Sequence, residues 1–118
     1  MNIDQLRDYC LNKKGTTEAF PFDQNTLVFK VMGKIYAFVP LDQWETGNAT
    51  ISLKCDPDYA QELRTHYPES VKGAYHLNKT HWNALYLSHG EISTKLLKTL
   101  IDHSYELVFK SLPKKRRE

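Results

Sequence analysis

The sequence predicts an α+β domain: a two-layer sandwich with an antiparallel sheet carrying helices on one face. Two apolar runs rich in Val, Leu and Phe, Thr26 to Met32 and Ile35 to Leu41, are separated by Gly33-Lys34, the spacing of a β-hairpin. Helix signals stand at both ends of the chain, and the last helix has the broadest apolar stripe. Between them the elements alternate in the order α-β-β-β-α-β-β-α.

Each element has a local reason. Asn2-Ile3-Asp4-Gln5 pairs an N-cap with a Gln three residues later, and Ile3, Leu6 and Cys10 recur at helical spacing, so a helix runs to about Leu11. Lys13-Lys14-Gly15 ends it, with Gly15 suited to a left-handed cap. Thr16 to Asn25 contains Pro21 and reads as a connector, with a turn of helix near Glu18. After the hairpin, Asp42 to Asn48 is a polar loop, and Thr50 to Cys55 is a third strand by its alternation. Asp56-Pro57 opens a second helix: Asp caps free N–H groups, and Pro at the first position loses no needed donor. Tyr59, Ala60, Leu63 and Tyr67 form its apolar side, and Pro68 stops it. Glu69 to Gly73 reads as a loop, with short strands at Ala74 to Leu77 and Trp82 to Leu87. Ser88-His89-Gly90-Glu91 has capping-box spacing, and a helix follows to about Leu112 along Ile92, Leu96, Leu97, Leu100, Ile101, Val108, Phe109 and Leu112.

Composition narrows the class. With 118 residues, 41% hydrophobic and 25% charged, the chain has enough material for one core, expected over residues 1–113, followed by a basic tail at 114–118. No run of about 18 apolar residues occurs, so no membrane span is expected. Met1 to Asp8 carries Asp4, Arg7 and Asp8 and lacks an apolar signal core. Cys10 and Cys55 form no CxxC pair, which points to a reduced, cytoplasmic protein. The net charge is +2, but the tail Lys114-Lys115-Arg116-Arg117 carries four positive charges, so any anion binding by the body depends on local clustering.

Strand parity marks a candidate surface. If the aliphatic sets Leu27/Phe29/Val31, Ile35/Ala37/Val39 and Ile51/Leu53/Cys55 face the helices, the other face carries Lys30, Tyr36, Phe38, Lys54, Trp82 and Tyr86. Lysines interleaved with aromatic rings suit base stacking and phosphate contact. The same pattern also arises from strand propensity alone, or from a dimer interface.

Chemistry-bearing motifs are few. Tyr75-His76-Leu77-Asn78-Lys79-Thr80-His81-Trp82 is the densest polar segment, either an anion site or a bend whose side chains satisfy loop backbone. His76 and His81 are five apart, which is neither a helical pair nor a zinc-finger spacing, so no metal or other cofactor is expected. Cys55 falls on the core-facing parity, Cys10 falls on the apolar side of a helix, and no GxGxxG, P-loop or HExxH occurs. The sequence therefore predicts a non-enzymatic protein.

His76-Leu77-Asn78-Lys79-Thr80-His81-Trp82 resembles the HLNKxHW signature of the YjbR/MmcQ family of small bacterial proteins. Further matches are Gly15 to Phe22, Phe29-Lys30-Val31, Gly33 to Ala37 and Ser52 to Pro57; the tail after Pro113 lies outside the pattern. The resemblance implies a CyaY-like or secretion-chaperone-like sandwich, a cytoplasmic setting, and DNA binding through a double-wing surface built from β-elements. Combined with the parity reading, the expected contacts are Lys30, Lys34, Tyr36, Phe38, Lys54, His76, Asn78, Lys79, His81 and Trp82. Two alternatives stand beside DNA: a protein partner on the open sheet face, as for a small chaperone or adaptor, and a small anion at the HLNKTHW bend.

Overall fold

The computed structural model describes residues 1–117; Glu118, the last residue of the basic tail, lies outside them. Six strands form one antiparallel sheet in the order β1-β2-β3-β4-β6-β5. In chain order the elements are α1 (Ile3–Leu11), β1 (Thr16–Ala19), β2 (Thr26–Val31), β3 (Lys34–Pro40), α2 (Leu41–Glu45), β4 (Thr50–Lys54), α3 (Pro57–His66), β5 (Val71–Gly73), β6 (Trp82–Tyr86), α4 (Thr94–Ser111) and α5 (Lys114–Arg117), with a 3-10 turn at Leu87–His89. Helices cover one face: α4 lies across β2, β3 and β4, α1 rests on β1 and α3 on β5. The α+β sandwich predicted from the sequence is the observed architecture. No helix among the described residues is long and apolar enough to cross a membrane.

The two capped helices form as their sequences direct. The Asn2 side chain accepts from the Gln5 amide at 2.8 Å, and Gln5 accepts from the Asn2 amide at 2.9 Å. This entry angle buries Leu6 and Cys10. Asp56 accepts from the Tyr59 amide at 3.2 Å with Pro57 behind it, and α3 buries Ala60 and Leu63. The long helix is capped by Ser93 (Oγ to the Leu96 amide, 3.0 Å), not by the Ser88–Glu91 box; Gly90, at φ +75°, ends the 3-10 turn there.

Three elements depart from the local reading because distant partners decide them. Thr16–Ala19 is an edge strand, not a connector with a helical turn, because β2 offers a free ladder and Thr16 pairs with Val31. Leu41–Glu45 is helical, not a loop: Asn25, far back in the chain, accepts from the Asp42 amide and returns a hydrogen bond to its carboxylate, both at 2.9 Å. The strand expected at Ala74–Leu77 lies three residues earlier, at Val71–Gly73, and Ala74–Thr80 is a bend.

The hairpin turns at Met32-Gly33, one residue before the expected Gly33-Lys34, with Val31 paired to Lys34. Both turn residues have positive φ, +49° and +87°, the twist that matches two-residue hairpins. Beyond the turn the register slips: Lys30 pairs with Ile35 but Phe29 with Ala37, so Tyr36 is an extra residue on β3. This bulge overturns the parity expectation for Tyr36, which is fully buried on the helix side. Its ring meets Tyr105 edge-on at 5.4 Å, and its hydroxyl lies 3.1 Å from Thr16 Oγ1 and donates to the Cys10 carbonyl at 3.4 Å. Burial drives the Tyr36 phenol far above its ordinary range and fixes it as a neutral hydroxyl.

Candidate nucleic-acid interface

The face away from the helices is laid out by strand pairing. One row runs straight across all six strands: Ala19, Val28, Phe38, Ser52, Ala84 and Lys72 are successive partners. On one side of this row Lys30 pairs with Ile35 and Lys54 with Trp82; on the other Thr26 pairs with Pro40 and Thr50 with Tyr86. Among the described residues, the charged residues that the strands turn to this face are Lys30, Lys54 and Lys72; the one strand carboxylate, Glu18, is on the opposite parity and bonded to Arg7.

Three rings form a ridge on this face. Phe38 meets Trp82 edge-on with centroids 5.3 Å apart, and Phe22 stacks on Phe38 at 6.2 Å and 16°. Phe22 is two-thirds exposed, at 66%. Val28, paired with Phe38, is fully buried yet lies outside the main core cluster. Lys72 sits 5.7 Å from the Tyr86 ring centroid. Phe22 and Lys72 were missed because they fall in segments read as connector and loop; an exposed-type aromatic beside Pro21 was the only local signal for Phe22.

Of the expected contacts, Lys30, Phe38, Lys54 and Trp82 come together on this surface, and Tyr36 does not. Lys34 does not either: it pairs with core-facing Val31, and its Nζ reaches Ser111 Oγ at 3.1 Å on the helix side.

The HLNKTHW segment is a bend that delivers Trp82 to the sheet. Asn78 Oδ1 accepts from the Thr80 amide at 2.9 Å, and its carbonyl accepts from the amides of His81 (3.1 Å) and Trp82 (2.9 Å). The Lys79 carbonyl is held by the Arg64 guanidinium, whose Nε donates to Asn83 at 2.8 Å, which ties the bend to α3. The His81 carbonyl accepts from the Cys55 amide at 2.8 Å and prolongs the β4–β6 ladder. His76 and His81 are exposed, and the His76 ring lies against Tyr75, 3.9 Å between centroids. Among the described residues no three His, Cys, Asp or Glu side chains gather as a metal cage. A cleft of about 690 Å³ opens elsewhere, on the side of α1 and α2, lined in part by Ile3, Leu27, Leu41 and Trp44.

Neither thiol is poised for chemistry. Cys10 and Cys55 are unpaired and buried, and burial pushes both up to about 12. His103, on α4, accepts from the Asp56 amide through Nε2 at 3.1 Å; burial holds it below its ordinary value, so it serves as a neutral acceptor.

Known proteins are similar to this chain in sequence and in fold. The Escherichia coli K12 protein YjbR is 32% identical over 119 residues, covering 100% of this chain and 96% of its own. YbdF of E. coli O157:H7 is 40% identical over 96 residues, 81% of this chain and 75% of its own. A crystal structure of a Deinococcus radiodurans protein with the family-model domain DUF419 superposes with a TM-score of 0.88 at 38% identity, over 98% of this chain and 85% of that one. A Pseudomonas syringae protein superposes with a TM-score of 0.70 at 28% identity, over 92% and 99%. The YjbR family model matches residues 11–107, a span holding β1 to β6, the Phe22–Phe38–Trp82 ridge and the HLNKTHW bend. By sequence and by fold, this chain belongs to the YjbR family.

Proposed function

We propose that this protein binds DNA on its open sheet face and catalyses no reaction. The observation that carries the reading is the Phe22–Phe38–Trp82 ridge with Lys30 and Lys54 beside it: rings to stack on bases, ammonium groups to meet phosphates, and, among the described residues, no strand carboxylate on that face. Stacking needs bases free of their duplex partners, so single-stranded segments are the favoured substrate. Buried thiols supply no accessible nucleophile, and their reduced state suits the cytoplasm.

The test is fluorescence anisotropy of labelled single-stranded and duplex DNA at two salt concentrations. The expected result is salt-sensitive binding, tighter for the single strand. It weakens at least tenfold in Phe38→Ala/Trp82→Ala, as two stacking contacts of about 1–3 kcal/mol each require. It weakens with a shallower salt dependence in Lys30→Ala/Lys54→Ala. No binding at micromolar protein in low salt rejects the reading. The exposed ring of Phe22, stacked on Phe38, would then favour a protein partner on the same ridge.

A further inference from the structure

Lys34, expected among the nucleic-acid contacts, lies in a basic cluster at the hairpin end of the sheet. The turn Met32-Gly33 is flanked on one side by Lys14-Gly15, where the Met32 amide donates to the Gly15 carbonyl at 3.1 Å. On the other side is α5: the Arg116 guanidinium donates to the Met32 carbonyl at 2.5 Å and lies beside Gly33. Lys34 reaches the last turn of α4 through Ser111, and Lys110 precedes that residue. Lys14, Lys34, Lys110 and the four residues of α5 thus gather seven cations at one end of the molecule. Arg116 holds α5 against the hairpin, so Lys114 and Lys115 are displayed on a docked turn of helix, while Arg117 is half-buried with its Nε enclosed and unpartnered among the described residues.

None of the seven is neutralised by a carboxylate among the described residues. The ion pairs found there are Arg7 with Glu18 and Lys13 with Asp102; Lys34 and Arg116 bond only to a hydroxyl and a carbonyl. The other nine basic residues face thirteen acidic ones between Asp4 and Glu106, so the rest of the chain is net negative. Seven like charges concentrated against that balance repel one another, and a polyanion relieves the repulsion. Five of the seven lie beyond residue 107, where the family match ends.

We propose that this hairpin end is a second nucleic-acid contact, one that grips the phosphodiester backbone without reading or stacking bases. Lys34, Lys114, Lys115 and Arg117 carry it, with Arg116 as the residue that positions α5. That the polyanion is nucleic acid rests on the DNA-binding reading above. The backbone grip is separable from it, because an abasic strand offers phosphates and nothing to stack.

The probes are a labelled abasic oligonucleotide, labelled oligothymidine of the same length, and labelled polyglutamate, read by anisotropy across a salt series. The variants are Lys114→Gln/Lys115→Gln/Arg117→Gln, which keeps the Arg116 anchor, and Phe38→Ala/Trp82→Ala. The expected result is that the wild-type chain and the aromatic variant bind the abasic strand equally, and the tail variant does not. For oligothymidine the tail variant lowers the slope of log affinity against log salt by about 2, since each lost single-strand phosphate contact is worth about 0.7. Failure of the wild-type chain to bind the abasic strand overturns the proposal, as does an unaltered slope in the tail variant. Polyglutamate bound as tightly as the abasic strand overturns the assignment to nucleic acid. Oligothymidine affinity unchanged in the aromatic variant sinks the face reading alone and leaves this end standing.

Discussion

Ser104, in the middle of α4, closes a gap in the sheet beside Tyr36. Its Oγ donates to the Tyr36 carbonyl at 2.6 Å and accepts from the Lys54 amide at 2.9 Å. The bulge at Tyr36 stops the β3–β4 ladder at Ala37–Leu53, so these two backbone groups have no strand partner. One fully buried hydroxyl satisfies both. Ser104→Ala therefore leaves a donor and an acceptor unpaired in the core, and we expect a loss of about 2–6 kcal/mol, at 1–3 for each orphaned group. Urea denaturation checks this; a loss below half a kcal/mol means that the ladder closes without the hydroxyl.

Gly15 governs how β1 meets the hairpin. It has φ +74°, and a Cβ there would lie 2.6 Å from Met32 Cε. Gly15→Ala must displace the Met32 side chain and holds a non-glycine residue in the left-handed region, costing about 1–3 kcal/mol. The melting temperature is expected to fall, with far-ultraviolet dichroism unchanged below the transition.

His103 makes stability fall on the acid side. Its folded value lies below the ordinary 6.5 because burial disfavours the charged ring, an effect that outweighs the opposing pull of the Asp56 carboxylate. Above pH 6.5 both folded and unfolded chains hold it neutral and nothing is lost. As pH drops below 6.5 the unfolded chain takes up the proton first, so stability declines until the folded value is passed. Thermal melts between pH 7.5 and 5 are expected to show this slope, and His103→Gln to flatten it.

Asn78 connects the HLNKTHW bend to the proposed interface. Its side chain stabilises the bend that aims Trp82 at Phe38. Asn78→Ala is expected to cost about 1 kcal/mol of stability, one exposed hydrogen bond, and to weaken single-stranded DNA binding by less than Trp82→Ala does. Equal losses for the two variants would assign Asn78 a direct contact with DNA.

The two caps, the hairpin pair, β4, α3 and the stripe of α4 are legible in the chain because each rests on contacts within about four residues: Asn2 with Gln5, Asp56 with Tyr59, alternation along β4. Lys30, Phe38, Lys54 and Trp82 follow from the same period-two rule. What lay beyond reach was decided between distant residues. Thr16–Ala19 becomes a strand only because β2 has a free edge, and Leu41–Glu45 a helix only because Asn25 supplies its cap. Tyr36 turned inward because one extra residue resets parity, and that slip is tolerated only where Ser104, 68 residues away, satisfies the interrupted ladder. Lys34 and the basic tail, apart in sequence, share one end of the molecule because Arg116 docks on the hairpin turn. Local propensity sets which segments fold; hydrogen-bond satisfaction and charge balance across the whole chain set which faces they show.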